Sequence, residues 1–274
     1  MPDTFLERFN IVADYIPSPS KRRSGRPIQK VRFLVAHDTG NPESTARGNV
    51  KYYINSRNEM SASAHLFVDD KEIIECVPAL TGRAEKAWHV LYGVPKDNEL
   101  YGMNANDAAI GVEYCYGSRI NSDAAYDRYV WVLAKLCYQF SLDPSRDIIG
   151  HHLLDPNRKT DPQTGLMRSR RSYEQLLRDV VTEYNRCLGR ETEQPVISNQ
   201  IGEAKVTVRL RMREKPDTRS IVKGVLDPYT VIQFTSIIEN GEMINNNPVW
   251  YRLSNGSYVW SGGLLSTEME PVNF

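Results

Sequence analysis

The chain has no long apolar run, no net charge and very little histidine. No stretch approaches the roughly 18 consecutive apolar residues of a membrane span, so no spanning helix is expected. Lys plus Arg (34) equals Asp plus Glu (34), which removes the electrostatic footprint of a nucleic-acid binder or an acidic tail. Cysteine is scarce: Cys76, Cys115, Cys137 and Cys187 are widely spaced and form no C-x-x-C pair. Four cysteines suffice for two disulfides, but in a chain this large the spacing reads as buried free thiols. No H-E-x-x-H helix is present, which argues against a zinc peptidase of that type. The opening "MPDTFLERFNIVADYIPSPSKRRSGRP" lacks an apolar h-region after a basic start and is not read as a Sec signal peptide.

What remains is ordinary for a globular protein. The 274 residues, 41% hydrophobic and 25% charged, allow one large domain or two smaller ones. Residues 1–30 are polar, proline-bearing and locally basic, and read as an arm over the first domain, with a short helix near Phe5 to Ile11. Order then begins sharply. "VRFLVAH" and "AAIGVEYC" are apolar runs bounded by turn signals and read as buried strands, and "AHLFVDDKEIIECVP" reads as a hairpin. "STARGNVKYYINS" reads as a short helix with Ser44 near its cap. Tyr126, Val130, Leu133, Leu136, Cys137 and Phe140 recur at helical spacing behind Ser122 or Asp123 as cap. "SYEQLLRDVVTEYNRCL" opens with a Ser172/Gln175 capping box.

The fold class expected over the first 190 residues is therefore α/β, with a mixed central β-sheet flanked by helices. The polar segment 189–203 reads as a linker. Beyond it, short β runs separated by Gly, Asn, Asp or Pro signals predict a small all-β barrel or sandwich over 204–274.

All five histidines fall in the first domain. Two adjoin in "GHHLLDPNRKTDP" (150–162), where Pro156 and Pro162 exclude a continuous helix and predict a strand end running into a shaped loop. Catalytic zinc takes three protein ligands and leaves a fourth position open. His37 ends one strand, His151 ends another, and Asp161 follows a loop long enough to fold back. Neighbours in an extended segment point to opposite sides, so His151 and His152 are not expected to share an ion. By spacing alone these residues suit a metal site or ordinary hydrogen-bonded roles.

The motifs "VAHDTG", "SASAHLFVDD", "AWHV", "AIGVEY" and "GHHLLDPNRKTDP" resemble, in order and separation, those of the type 2 N-acetylmuramoyl-L-alanine amidases. That zinc-amidase family includes the peptidoglycan recognition proteins and several phage endolysins. The likeness covers about residues 30 to 188 and implies a catalytic domain over 31–188. It implies zinc on His37, His151 and Asp161, with Glu113 moving the proton and Lys159 stabilising the oxyanion. His89, Trp88 and His65 fall where family members line the substrate cleft or brace the metal shell. Ala64 stands where some members have tyrosine, which assigns proton transfer to Glu113 more firmly.

The implied reaction is hydrolysis of the amide between the lactyl group of N-acetylmuramic acid and L-alanine of the stem peptide. The alternative is a non-catalytic peptidoglycan-binding protein on the same fold, against which the intact residue set argues. "WYRLSNGSYVWSGGLL" and "VTVRLRMREKPDTRSIVKGVL" resemble bacterial SH3-like domains, which accompany cell-wall hydrolases. Trp250, Tyr251, Tyr258 and Trp260 read as core for at least half of their number. With peptidoglycan or muropeptides as partner and no Sec signal, the expected route to the wall is release by lysis or delivery by a phage or injection apparatus.

Overall fold

The computed structural model describes residues 4–190, 197–198, 200–218, 220–239, 241–242, 244–245 and 247–269. The chain divides into two compact units, Met1–Arg190 and Glu191–Phe274. The first contains β1 (Ile11–Ala13), β2 (Phe33–Asp38), α1 (Ala46–Asn55), β3 (Leu66–Val68), β4 (Ile73–Glu75), α2 (Lys96–Tyr101), α3 (Ala105–Ala108), β5 (Ala109–Tyr114), α4 (Ser122–Phe140), β6 (Ile148–Gly150), α5 (His151–Leu154), α6 (Gln163–Arg168) and α7 (Tyr173–Cys187). Its six strands form one mixed sheet in the order β1-β4-β3-β5-β2-β6. The β3–β4 hairpin is antiparallel, and β2 pairs in parallel with both β5 and β6.

β2 is buried along its whole length, as a central strand covered on both faces is, and so reads as an apolar run up to His37. Alternation then divides its side chains. Phe33 and Val35 join Ala109 and Ile149 in one cluster, where Tyr101 of α2 stacks on Phe33 at 3.9 Å. Leu34 and Ala36 join the opposite and larger cluster, with Ile110, Val112 and the buried residues of α4 and α7. Period-two alternation puts His37 and Glu113, which are register partners, on the Phe33 face at the carboxyl ends of their strands.

The N-terminal segment differs from its expected form. Residues 4–10 are not helical, and the chain instead adds β1 parallel to β4. Long-range contacts hold it extended. Phe5 stacks on Tyr138 at 5.0 Å, the Leu6 N–H donates to the Cys187 carbonyl, and Arg8 bonds both Asp127 and Glu183. Further on, Arg22 is buried against Tyr53 and donates to Ser56 and the Ala62 carbonyl.

Thr45 caps α1, next to Ser44 as expected, whereas Asn121 rather than Ser122 or Asp123 caps α4, accepting from the Ala124 N–H at 3.1 Å. Ser172 caps α7 as its sequence pattern implies, accepting from the Gln175 N–H. The long segment after His89 carries two short helices, α2 and α3. All four cysteines are buried and free.

The second unit is all-β: β7 (Ile197–Ser198), β8 (Gly202–Val206), β9 (Leu210–Arg213), β10 (Val222–Leu226), β11 (Val231–Ile238), β12 (Trp250–Leu253), β13 (Tyr258–Trp260) and β14 (Leu264–Met269). The sheet runs β10-β9-β13-β12-β11-β8-β14, with β7 paired to β11. Of the expected linker, residues 191–196 and 199 lie outside the described residues, as do 270–274 of the expected second domain. Phe234, Leu253 and Val259 form the core with Tyr251 packed against it, and Trp250 is buried. The indole N–H groups of Trp250 and Trp260 donate to the Glu242 and Asn247 carbonyls.

Candidate active site

Three strand ends bring the chemistry together. His37 closes β2, Glu113 lies beside it in β5, and His151 follows β6 directly. Asp161 folds back so that one carboxylate oxygen, Oδ2, sits 2.8 Å from His37 Nδ1 and 3.0 Å from His151 Nδ1. The two imidazoles are 4.7 Å apart and nearly perpendicular. His37, His151 and Asp161 each offer a ligand atom within 4.8 Å of the others and could hold a metal ion. Two ring nitrogens and a carboxylate oxygen are a donor set that suits zinc, with a further position left toward the cavity. Burial pushes the His37 imidazole down to about 4, against the opposing pull of Asp161. Burial also resists ionisation of Asp161, but the hydrogen bonds from His151 and His37 outweigh it and hold the carboxyl well below its ordinary range.

The loop between His151 and Asp161 is not a simple strand end. α5 begins at His151 behind Gly150, so His151 and His152 diverge by a helical step rather than by strand alternation. His151 Nδ1 meets the Asp161 carboxylate, whereas the His152 ring meets only the Asp161 backbone carbonyl. His152 folds over Gly150, where an added Cβ would come within 2.5 Å of its ring, and lies edge-on to Tyr173 at 5.0 Å. Its backbone N–H donates to the Asp161 carbonyl at 2.9 Å, tying the two ends of the loop. Pro156 lies beyond α5, and Pro162 occupies the N-cap of α6.

Asp38 has a role that its sequence context does not announce. It is buried, and its two oxygens accept from the Gly40 and Gly165 N–H groups at 2.9 and 2.8 Å. The second bond links the end of β2 to α6, just past Asp161. Gly165 has no room for a side chain, because a Cβ would stand 2.8 Å from that of Asp38. An aspartate two residues before glycine at a strand end is a turn signal, which points to the Gly40 contact but not to the distant one.

A cavity of about 610 Å³ opens over these groups, lined by His37, Glu113, His151, Lys159, Asp161, Trp88 and His89 among others. Glu113 is half-buried, and its Oε2 has no hydrogen-bond partner. Burial first, then the charges of Asp161 and Asp38, raise its carboxyl well above the ordinary range, and Lys159 opposes the rise. The cavity adjoins a second of about 470 Å³ that shares Thr39, Tyr53 and Glu113 and extends along α1 past Ser44 and Asn49.

The three expected substrate contacts, Trp88, His89 and His65, occupy three different situations. Trp88 is half-buried on the cavity wall. His89 reaches the wall but is only 8% exposed, its Nδ1 turned to His37 Nε2 at 3.0 Å. His65, of the two roles the resemblance allows, has the surroundings of a brace: it is fully buried, away from the cavity lining, with both ring nitrogens engaged. Its Nδ1 accepts from the Gly111 N–H at 3.0 Å, and its Nε2 donates to the Glu85 carbonyl at 2.8 Å. These bonds join β5 to the segment before Trp88.

Comparison with known proteins fits this arrangement. Residues 27–164 match the family described as N-acetylmuramoyl-L-alanine amidase. The chain is 35% identical over 145 residues to N-acetylmuramoyl-L-alanine amidase BlyA of Bacillus subtilis (strain 168), a match covering 50% of this chain and 38% of BlyA. It is 34% identical over 87 residues to N-acetylmuramoyl-L-alanine amidase CwlA of the same organism, covering 32% and 27%. The matches thus span well under half the length of either relative. In fold, the chain resembles the Staphylococcus aureus hydrolase AmiA, solved in complex with its ligand (TM-score 0.54, 23% identity, 69% of this chain and 90% of that one). It also resembles the catalytic domain of XlyA (TM-score 0.50, 22% identity, 62% and 99%). The family match takes in half of the chain, including both strand-end histidines and the loop that returns Asp161 to them: the chain belongs to the N-acetylmuramoyl-L-alanine amidase family.

Proposed function

We propose that the first unit is a zinc-dependent peptidoglycan hydrolase that cleaves the amide between the lactyl group of N-acetylmuramic acid and L-alanine of the stem peptide. The observation that carries this reading is the convergence of His37 Nδ1 and His151 Nδ1 on Asp161 Oδ2, beside an unpartnered Glu113 oxygen in an open cavity.

His37, His151 and Asp161 would hold the ion. Bound there, zinc supplies Lewis acidity that polarises the scissile carbonyl and acidifies water. Glu113 serves as the proton carrier: its unpartnered oxygen on the cavity can take a proton from the attacking water and deliver it to the departing amine. Lys159, on the same cavity, places positive charge where negative charge develops on the carbonyl oxygen. Trp88 forms part of the wall against which substrate lies. The second unit is proposed to be SH3-like and to tether the enzyme to the wall. Among the described residues no helix is long and apolar enough to cross a membrane, and the proposed enzyme acts at the wall after lysis or phage-like delivery.

The test is incubation with a soluble muropeptide. New L-alanine amino termini should appear, vanish when a chelator removes metal, and return with added zinc. Binding without release would establish the non-catalytic alternative, and release of any other terminus would overturn the bond assignment.

A further inference from the structure

His89 sits behind the metal site rather than across from it. Its Nδ1 lies 3.0 Å from His37 Nε2, with the two rings 5.2 Å apart and nearly perpendicular. Two other residues hold it there. Asn106 is buried and accepts the backbone N–H groups of both His89 and Val90 through Oδ1, at 2.8 and 3.0 Å. Its Nδ2 donates to the Val90 carbonyl at 2.7 Å, so a single side chain clamps the turn that presents the imidazole. Gly111 provides the floor: a Cβ there would come 2.7 Å from His89 Nδ1 and 2.9 Å from its Cγ. Gly111 is braced in turn by its hydrogen bond to His65.

Tautomer chemistry gives this arrangement a purpose. A histidine that ligates through Nδ1 keeps its proton on Nε2, and a buried N–H of that kind needs an acceptor. His37 Nε2 finds one in His89 Nδ1. His151 Nε2 is buried without a partner, so among the two ligand histidines the support is built for His37.

We propose that His89 is a positioning residue for the metal centre. Its Nδ1 accepts the His37 Nε2–H and so fixes the tautomer and ring angle that aim His37 Nδ1 at the site, with Asn106 and Gly111 holding His89 in place. This rests on the metal assignment proposed for His37, His151 and Asp161. The proton that His89 then carries on Nε2 is buried without a hydrogen-bond partner.

The experiment measures zinc affinity of the full chain by competition with a chromophoric chelator. His89→Phe keeps a ring but removes the acceptor, and should weaken zinc binding by roughly 10- to 100-fold, the usual effect of losing a ligand's outer partner. His89→Gln, which restores an acceptor oxygen, should recover part of the loss. Equal zinc affinity in the wild type and His89→Phe, with only KM raised, would overturn positioning and make His89 a substrate contact. Should His89→Phe fail to fold, nitrogen NMR of the wild-type imidazoles with zinc bound reads the same point. His89 protonated on Nε2, with its Nδ1 bare and accepting from His37, supports the proposal, and a proton on His89 Nδ1 sinks it. A wild-type chain that binds no zinc would overturn the metal assignment itself, and this role with it.

Discussion

One oxygen of Asp161 meets two imidazoles, so the carboxylate is both a candidate ligand and the charge that orients the other two. His37→Ala or Asp161→Ala should therefore strip zinc and activity together. His152→Ala should keep both, because His152 contacts the Asp161 backbone and not its carboxylate. Metal analysis of the purified variants decides the matter, and zinc lost from His152→Ala but retained in His37→Ala would reverse the assignment. Glu113→Gln keeps size and shape while removing the titrating oxygen. It should bind zinc normally and lose roughly 10² to 10⁴ in turnover, and near-wild-type turnover would mean that another group moves the proton. Much of this constellation was legible because His37, Glu113, His151, Lys159 and Asp161 all lie in short motifs. Asp38 and Asn106 were not, because their partners are backbone amides whose proximity depends on the finished fold.

At the scale of elements, the strands were legible and the N-terminal segment was not. β2 and β5 declare themselves by unbroken apolar runs that only a strand buried on both faces tolerates. Phe5 to Ile11 carries a pattern compatible with a helical turn, yet its partners are Tyr138, Cys187, Asp127 and Glu183, all more than a hundred residues away. Local preference yields to such contacts. Phe5 is 3% exposed, and Phe5→Ala should cost about 3 kcal/mol, the usual loss for a buried phenyl ring. Denaturant unfolding would measure it, and a change below about 0.5 kcal/mol would mean that the segment merely rests on α4. The cap of α4 fell on Asn121 because adjacent Asn, Ser and Asp side chains compete for the same place, and only the backbone angle selects among them.

For the molecule as a whole, every candidate ligand and the entire lining of the cavity belong to the first unit. A chain ending at Arg190 should cleave soluble muropeptides as the full chain does. It should lose far more on intact sacculi, because a tether raises local concentration only on an insoluble, multivalent wall. Both chains assayed on both substrates separate the possibilities, and an equal loss on fragments and sacculi would show that the second unit completes the active site.

The thiols carry a different consequence. Cys76, Cys115, Cys137 and Cys187 are all enclosed, and burial pushes each of them away from the thiolate, the form that oxidants and disulfides attack. The fold has no disulfide to lose under reduction and no exposed thiol to offer under oxidation. A fold built this way keeps its thiols unchanged in reducing and oxidising surroundings alike, and needs neither an oxidase to form a cross-link nor a reductase to restore one.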